Sequence, residues 1–155
     1  MPGYKGHLLG GLGAFGLTVA LLLSATVLKP TFLLAIQWLL CCLAGSLFPD
    51  VDTKSKGQKY FYWLLCALFV FLFLNNQYYL MGVLSFIAVL PMLVPHRGLF
   101  HRLWFVILFP ALLAFGVNCY VAGCSTIIAS NTLFFITGAI SHLWLDLGFR
   151  RMVRF

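Results

Sequence analysis

Four long runs free of Asp, Glu, Lys, Arg and His dominate the chain, and the residues between them set its organisation. Leu8 to Leu28 lies between His7 and Lys29, and Pro30 to Pro49 lies between Lys29 and Asp50. Each is close to the roughly 20 residues that a helix needs to cross about 30 Å of hydrocarbon. The other two runs are about twice as long as one span requires. Tyr60 to Pro95 is broken by Asn75, Asn76 and Gln77, and Leu103 to Ser141 by the polar stretch Asn118 to Asn131 with Gly123 and Ser125. Backbone in hydrocarbon must satisfy its own hydrogen bonds, so each long run reads as a helical hairpin. The pattern predicts six spans, with Tyr78 and Tyr79 opening the fourth at an interfacial aromatic belt.

Composition supports that reading. Of 155 residues, 63% are hydrophobic, 17% aromatic and 8% charged, with a mean hydropathy of +1.03. These values exclude an ordinary soluble domain. The expected fold is an all-α, polytopic membrane bundle in which residues 1–155 form a single transmembrane domain. The first run has a basic flank like a signal peptide, but it has full span length and lacks an A-x-A cleavage site, so it is expected to stay as an anchor.

Charge sets the orientation. Lys5, the group Lys54, Lys56 and Lys59, the pair Arg97 and Arg102, and Arg150, Arg151 and Arg154 share one side of the six-span topology, with Lys29 opposite. Lys and Arg are retained in the cytoplasm during insertion, which places both termini inside. The net charge of +7 is accounted for by this bias and by contact with anionic headgroups, so the lipid bilayer is the expected partner and nucleic acid is not. Cys41, Cys42, Cys66, Cys119 and Cys124 lack a C-x-x-C pair and read as packing residues, with Cys119 and Cys124 placed for a disulfide if the outer side is oxidising. The Gly10, Gly13 and Gly16 spacing suits close helix packing.

The candidate chemistry lies in the remaining ionisable groups, three Asp, four His and no Glu. Asp50 and Asp52 close the second span in GSLFPDVD, His96 and His101 bracket the HRGLFHR turn, His142 and Asp146 share SHLWLD, and His7 opens the first span. On the six-span topology all seven reach the cytoplasmic end. His142 and Asp146 are i and i+4, and so share a helix face. Counting back from Arg150 places His142 about 12 Å into its helix, where an unpaired polar group is costly. Carboxylates and imidazoles without thiolate suit a divalent ion: zinc first, then manganese, iron or magnesium. Such an ion would draw on His7, Asp50, Asp52, His96, His101, His142 and Asp146, with Asp52 or Asp146 as the general base if it stays off the metal. Arg97 and Arg102 flank the group, with Lys54 and Lys56 in the adjacent loop, and these could bind an anionic substrate, although topology alone also asks for basic residues there. Taken singly, each Asp or His could instead be a helix cap or an interhelical hydrogen-bonding group.

Three motifs occur in order, G-x-x-x-P-D-x-D at Gly45 to Asp52, H-R-G-x-x-H at His96 to His101 and H-x-x-x-D at His142 to Asp146. Together with His7, Gly10 and Gly11 they resemble the YdjM-like family of bacterial inner-membrane proteins, described as metal-dependent hydrolases, over nearly the whole chain. The resemblance implies an inner-membrane location, metal dependence and the same seven polar residues as a centre. Phe100 and Arg102 stand where that family usually has hydroxyl residues, and Leu147, Gly148 and Phe149 replace a small polar tail. The functional expectation is a metal-dependent hydrolase at the cytoplasmic leaflet that cleaves an ester or phosphoester of a lipid or amphiphile. Two alternatives come from other classes: a transporter or proton or cation relay, and a non-catalytic metal-stabilised scaffold.

Overall fold

The computed structural model describes residues 3–25, 30–52, 56–93, 99–120, 123, 125–148 and 152, without the side chains at 52, 86, 87, 90–93 and 99. Six α-helices follow one another: α1 (Tyr4–Ser24), α2 (Phe32–Leu47), α3 (Lys56–Leu74), α4 (Tyr78–Leu93), α5 (Leu103–Tyr120) and α6 (Ser125–Leu147). Short 3-10 turns lie at Phe48–Asp52 and Leu99–His101. By length and hydropathy, α1, α3, α5, α6 and the segment Phe32–Val51 can each cross a membrane, and α4 is described over 16 residues. The helical membrane bundle expected from the hydropathy pattern is therefore the fold.

Local chemistry explains the boundaries. Thr31 caps α2, its Oγ1 accepting the Leu34 N–H at 3.3 Å. At the other end the Phe48 N–H bonds the Gly45 carbonyl, an i to i−3 contact that already has 3-10 geometry. Pro49 follows without an N–H to restore the α-helical ladder. Between α3 and α4, Asn76 adopts a left-handed conformation (φ 57°), which asparagine tolerates better than most residues. Gln77 then bonds the Leu72 carbonyl at 2.9 Å. Gly148 closes α6 at φ 68°, its N–H on the Trp144 carbonyl at 2.9 Å, where a side chain would be strained.

The break between α5 and α6 is shorter than the polar stretch Asn118 to Asn131 suggests, because α5 runs to Tyr120 and α6 starts at Ser125. The hydroxyls of α6 are absorbed by the helix itself. Ser130 donates to the Ile127 carbonyl at 3.0 Å and Thr132 to the Ile128 carbonyl at 2.8 Å.

Helix α6 is the centre of the bundle, packed by α1, α2 and α5. Its contact with α2 is backbone against backbone. A Cβ at Gly45 would overlap the Phe135 carbonyl, and one at Gly138 would overlap the Cys42 carbonyl. Small residues let helices approach this closely in a medium where the hydrophobic effect does not drive them together. In α1 the close contacts are at Gly10, against Leu145, and Gly11, against Ser46. Gly13 and Gly16 face open space, so only the first member of the expected glycine series packs, joined by its neighbour. Trp38, Cys42 and Phe134 form a buried cluster near α1, in which the Trp38 indole N–H donates to Ser130 Oγ at 3.0 Å. Cys41, Cys42, Cys66 and Cys119 are free thiols, and Cys124 lies outside the described residues.

Candidate metal centre

The centre is assembled where the Phe48–Asp52 turn, the Leu99–His101 turn, α1 and α6 meet. Helix α6 supplies His142 and Asp146 from one face, as their spacing requires. The turn after α2 supplies Asp50, and the turn before α5 supplies His101. One ligand atom from each of Asp50, His101, His142 and Asp146 lies within 4.8 Å of the other three.

His142 is the pivot of this group and is fully buried, with 0% exposure. Its Nδ1 lies 2.7 Å from the Ser46 carbonyl oxygen. A carbonyl can only accept, so Nδ1 carries the proton and donates it. The ring is thereby locked in the tautomer whose Nε2 lone pair faces the carboxylates. Ser46 has this carbonyl to offer because its partner in a 3-10 ladder would be residue 49, and Pro49 has no N–H. The close α2–α6 approach at Gly45 and Gly138 brings the two groups together.

From His142 Nε2 the nearest carboxylate oxygens are Asp50 Oδ1 and Asp146 Oδ2, each at 3.6 Å. His101 Nε2 is 3.7 Å from Asp50 Oδ1. These separations are too long for direct hydrogen bonds. They are close to the roughly 3.3 Å between two ligands of one tetrahedral ion with bonds of about 2.0 Å. His142 Nε2 and Asp146 Oδ1 are buried without a hydrogen bond, in a protein interior where such atoms are normally satisfied. Two imidazoles and two carboxylates around atoms in that condition fit a divalent ion of borderline or hard character. Asp50 is the most open member at 25% exposure, and marks the side on which the centre meets the outside.

His7 is drawn in further than a residue at the mouth of a first span suggests. It is buried in the first turns of α1, its ring stacked on His142 with centroids 3.8 Å apart and planes 17° from parallel. Its Nε2 lies 3.4 Å from Asp146 Oδ1. His7 thus stands behind Asp146, outside the quartet that shares one point. Gly10 and Gly11, one turn further along α1, permit the close approach that places it there.

Of the seven residues that the sequence groups together, five meet here: His7, Asp50, His101, His142 and Asp146. Asp52 ends the Phe48–Asp52 turn, and its side chain is not among those described. His96, Arg97 and Lys54 lie outside the described residues. Arg102 is exposed, and its carbonyl starts α5 by accepting the Phe105 N–H at 3.0 Å. Phe100, at one position that departs from the motif, is buried edge-on to Phe48 with centroids 5.3 Å apart. Packing has taken the place of a hydroxyl there. The Ser46 carbonyl and Gly138 escape a reading based on side-chain chemistry, since one acts through its backbone and the other through having no side chain. Gly45, at the head of the first motif, is their visible trace.

Among curated proteins and solved structures, none matches the chain. The model of one family, described as YdjM inner membrane protein, matches residues 1–154. With that match over nearly its full length and the helical architecture above, the chain belongs to the YdjM inner membrane protein family.

Proposed function

We propose that this protein is a metal-dependent hydrolase of the bacterial inner membrane, cleaving an ester or phosphoester of a lipid or amphiphile at the cytoplasmic leaflet. The observation that carries the reading is the quartet Asp50, His101, His142 and Asp146, with the fully buried His142 presenting Nε2 to two carboxylates at 3.6 Å each. Asp50, His101, His142 and Asp146 would hold the ion, zinc being the first choice for two imidazoles and two carboxylates. A bound divalent ion supplies Lewis acidity and lowers the pKa of water towards neutrality. The chain's own part is to hold His142 in one tautomer through Ser46, to brace Asp146 with His7, and to keep bulk water from all but the Asp50 side. Asp52, or Asp146 if it is released from the ion, is assigned as the proton acceptor.

The cytoplasmic assignment follows from the Lys and Arg distribution, and the lipid-like substrate from a centre buried among membrane-length helices. Arg97, Arg102 and Lys54 are assigned to contacts with an anionic substrate group.

The test is metal content by mass spectrometry of protein purified gently without chelator, beside Asp50→Ala and His142→Ala variants that still elute monodisperse. One ion per chain in the parent and a loss of about 100-fold or more in affinity in both variants is expected, because each removes a ligand or its orientation. Turnover of lipid esters and phosphoesters that depends on the same ion completes the assignment. A parent that neither carries nor takes up metal overturns it and leaves the row His101, Asp50, His142, Asp146 and His7 as a hydrogen-bonding or proton-relay chain.

A further inference from the structure

Lys56, Lys59, Tyr60 and Trp63 stand at i, i+3, i+4 and i+7 of α3, and so occupy one face of its first two turns. They line an open recess of about 460 Å³, within the size range of small-ligand sites. All are exposed, Trp63 by 68%. All four lining residues are on α3, and α1 packs beside two of them. The Lys56 ammonium lies 5.9 Å from the centre of the Tyr4 ring on α1, within cation–π range, and Tyr4 packs on Tyr60 with centroids 5.7 Å apart. The first turn of α3 is also anchored, with Gly57 buried and Gln58 Nε2 donating to the Val51 carbonyl at 2.9 Å.

Its chemistry is uniform in sign. No acidic residue lies on α3, and the chain's three aspartates are at 50, 52 and 146, so neither lysine has a carboxylate on its own helix. The axial order is that of a bilayer surface. Both lysines lie at the helix start, and Trp63 lies about 10 Å further in, at the depth where indole rings settle between headgroups and acyl chains. Two ammonium groups at the helix start with two aromatic side chains on the same face match a phosphate that carries a net negative charge and continues into an apolar glycerol ester region. A zwitterionic headgroup would bring its own cation against the lysines.

We infer that this recess is a binding site for the headgroup of an anionic phospholipid, with Lys56 and Lys59 on the phosphate and Tyr60 and Trp63 beside the glycerol and upper acyl chains. The site stands on α3, beside Tyr4 of α1, and does not depend on hydrolytic activity. Tyr4, which packs on Tyr60, is one turn from His7 on α1, and Val51, which accepts from Gln58, is next to Asp50, so the recess is connected to two residues of the candidate centre.

The test uses the full chain in phosphatidylcholine vesicles and follows quenching of Trp63 by brominated phosphatidylglycerol or brominated phosphatidylcholine. Subtraction of the Trp63→Phe variant isolates the signal. A preference for phosphatidylglycerol of about fivefold for each lysine is expected. It should fall to parity in Lys56→Gln/Lys59→Gln and persist in Lys56→Arg/Lys59→Arg. The exposed single change Lys59→Gln, with an intermediate loss, serves if the double variant fails to fold. Equal charge removal at Arg151→Gln/Arg154→Gln should leave the preference intact. Three results overturn the inference. They are no preference in the parent, an equal loss in the Arg151/Arg154 variant, which means a diffuse surface charge, and suppression by millimolar inorganic phosphate, which means a soluble anion.

Discussion

The bundle has two unlike regions. Around α6, packed by α1, α2 and α5, the α2–α6 contact is backbone to backbone, and α1 closes on side chains at Gly10 and Gly11. Buried polar groups bridge α2 and α6: Trp38 to Ser130, and His142 to Ser46. The α3–α4 hairpin meets itself through Tyr62, whose hydroxyl donates to the Ala88 carbonyl at 2.9 Å, and turns Trp63, Val70, Phe71, Phe73 and Tyr79 outwards. It joins the rest chiefly through the Phe48–Asp52 turn and α2, with ring contacts from Tyr60 to Tyr4 on α1 and from Tyr79 to Tyr120 on α5. The difference locates the candidate centre. Ligand atoms must be held to within about 0.5 Å, and that precision comes from rigid elements in close contact. All five residues brought together at the centre come from α1, α6 and the two 3-10 turns, none from α3 or α4.

The strongest way to break the contrast is at Gly138. In Gly138→Val, new atoms must overlap the Cys42 carbonyl, forcing α2 from α6 and Ser46 from His142. A loss of about 3 kcal/mol or more in detergent unfolding is expected, together with loss of metal. An intact metal stoichiometry in a folded Gly138→Val would show that helix spacing does not set the centre.

His7→Gln probes the rim. His7 stands behind Asp146, so metal should still bind but about tenfold more weakly, read by competition with a chelating dye. Complete loss of metal would instead make His7 a direct ligand. Trp38→Phe keeps the ring stack on Phe134 and removes the indole donor. Ser130 still has the Ile127 carbonyl, so no orphan is created and the cost should be about 1 kcal/mol in thermal unfolding, with metal content unchanged. Smallest of all is Gly82→Ala on α4, where a Cβ meets nothing within 4 Å. Its stability should change by less than about 0.5 kcal/mol. A large loss there would mean that the hairpin packs as tightly as the α6 region.

Much of the fold is legible in one dimension because the solvent is apolar. A membrane helix must be about 20 residues long and nearly free of charge, so Lys29, Asp50 and Asn75 to Gln77 mark its ends without reference to any partner. The pairing of His142 with Asp146 is equally local, fixed by the helical repeat. The α5–α6 boundary was less legible, because Ser130 and Thr132 look like loop residues in a composition count yet bond their own helix's carbonyls.

What the sequence determined on its own is therefore an α-helical membrane chain whose few acids and imidazoles are collected by three ordered motifs and His7. Only the tertiary structure decided which of them share a point. Gly10 and Gly11 pack where Gly13 and Gly16 do not, because the α1 crossing brings Leu145 and Ser46 to one end of that helix. The same crossing carries His7 onto His142, and the α2–α6 contact gives His142 the carbonyl that selects its tautomer. The physical reason is range. Hydropathy and helical period act within one segment, whereas an acceptor 96 residues away in sequence acts through the angle and distance at which two helices cross.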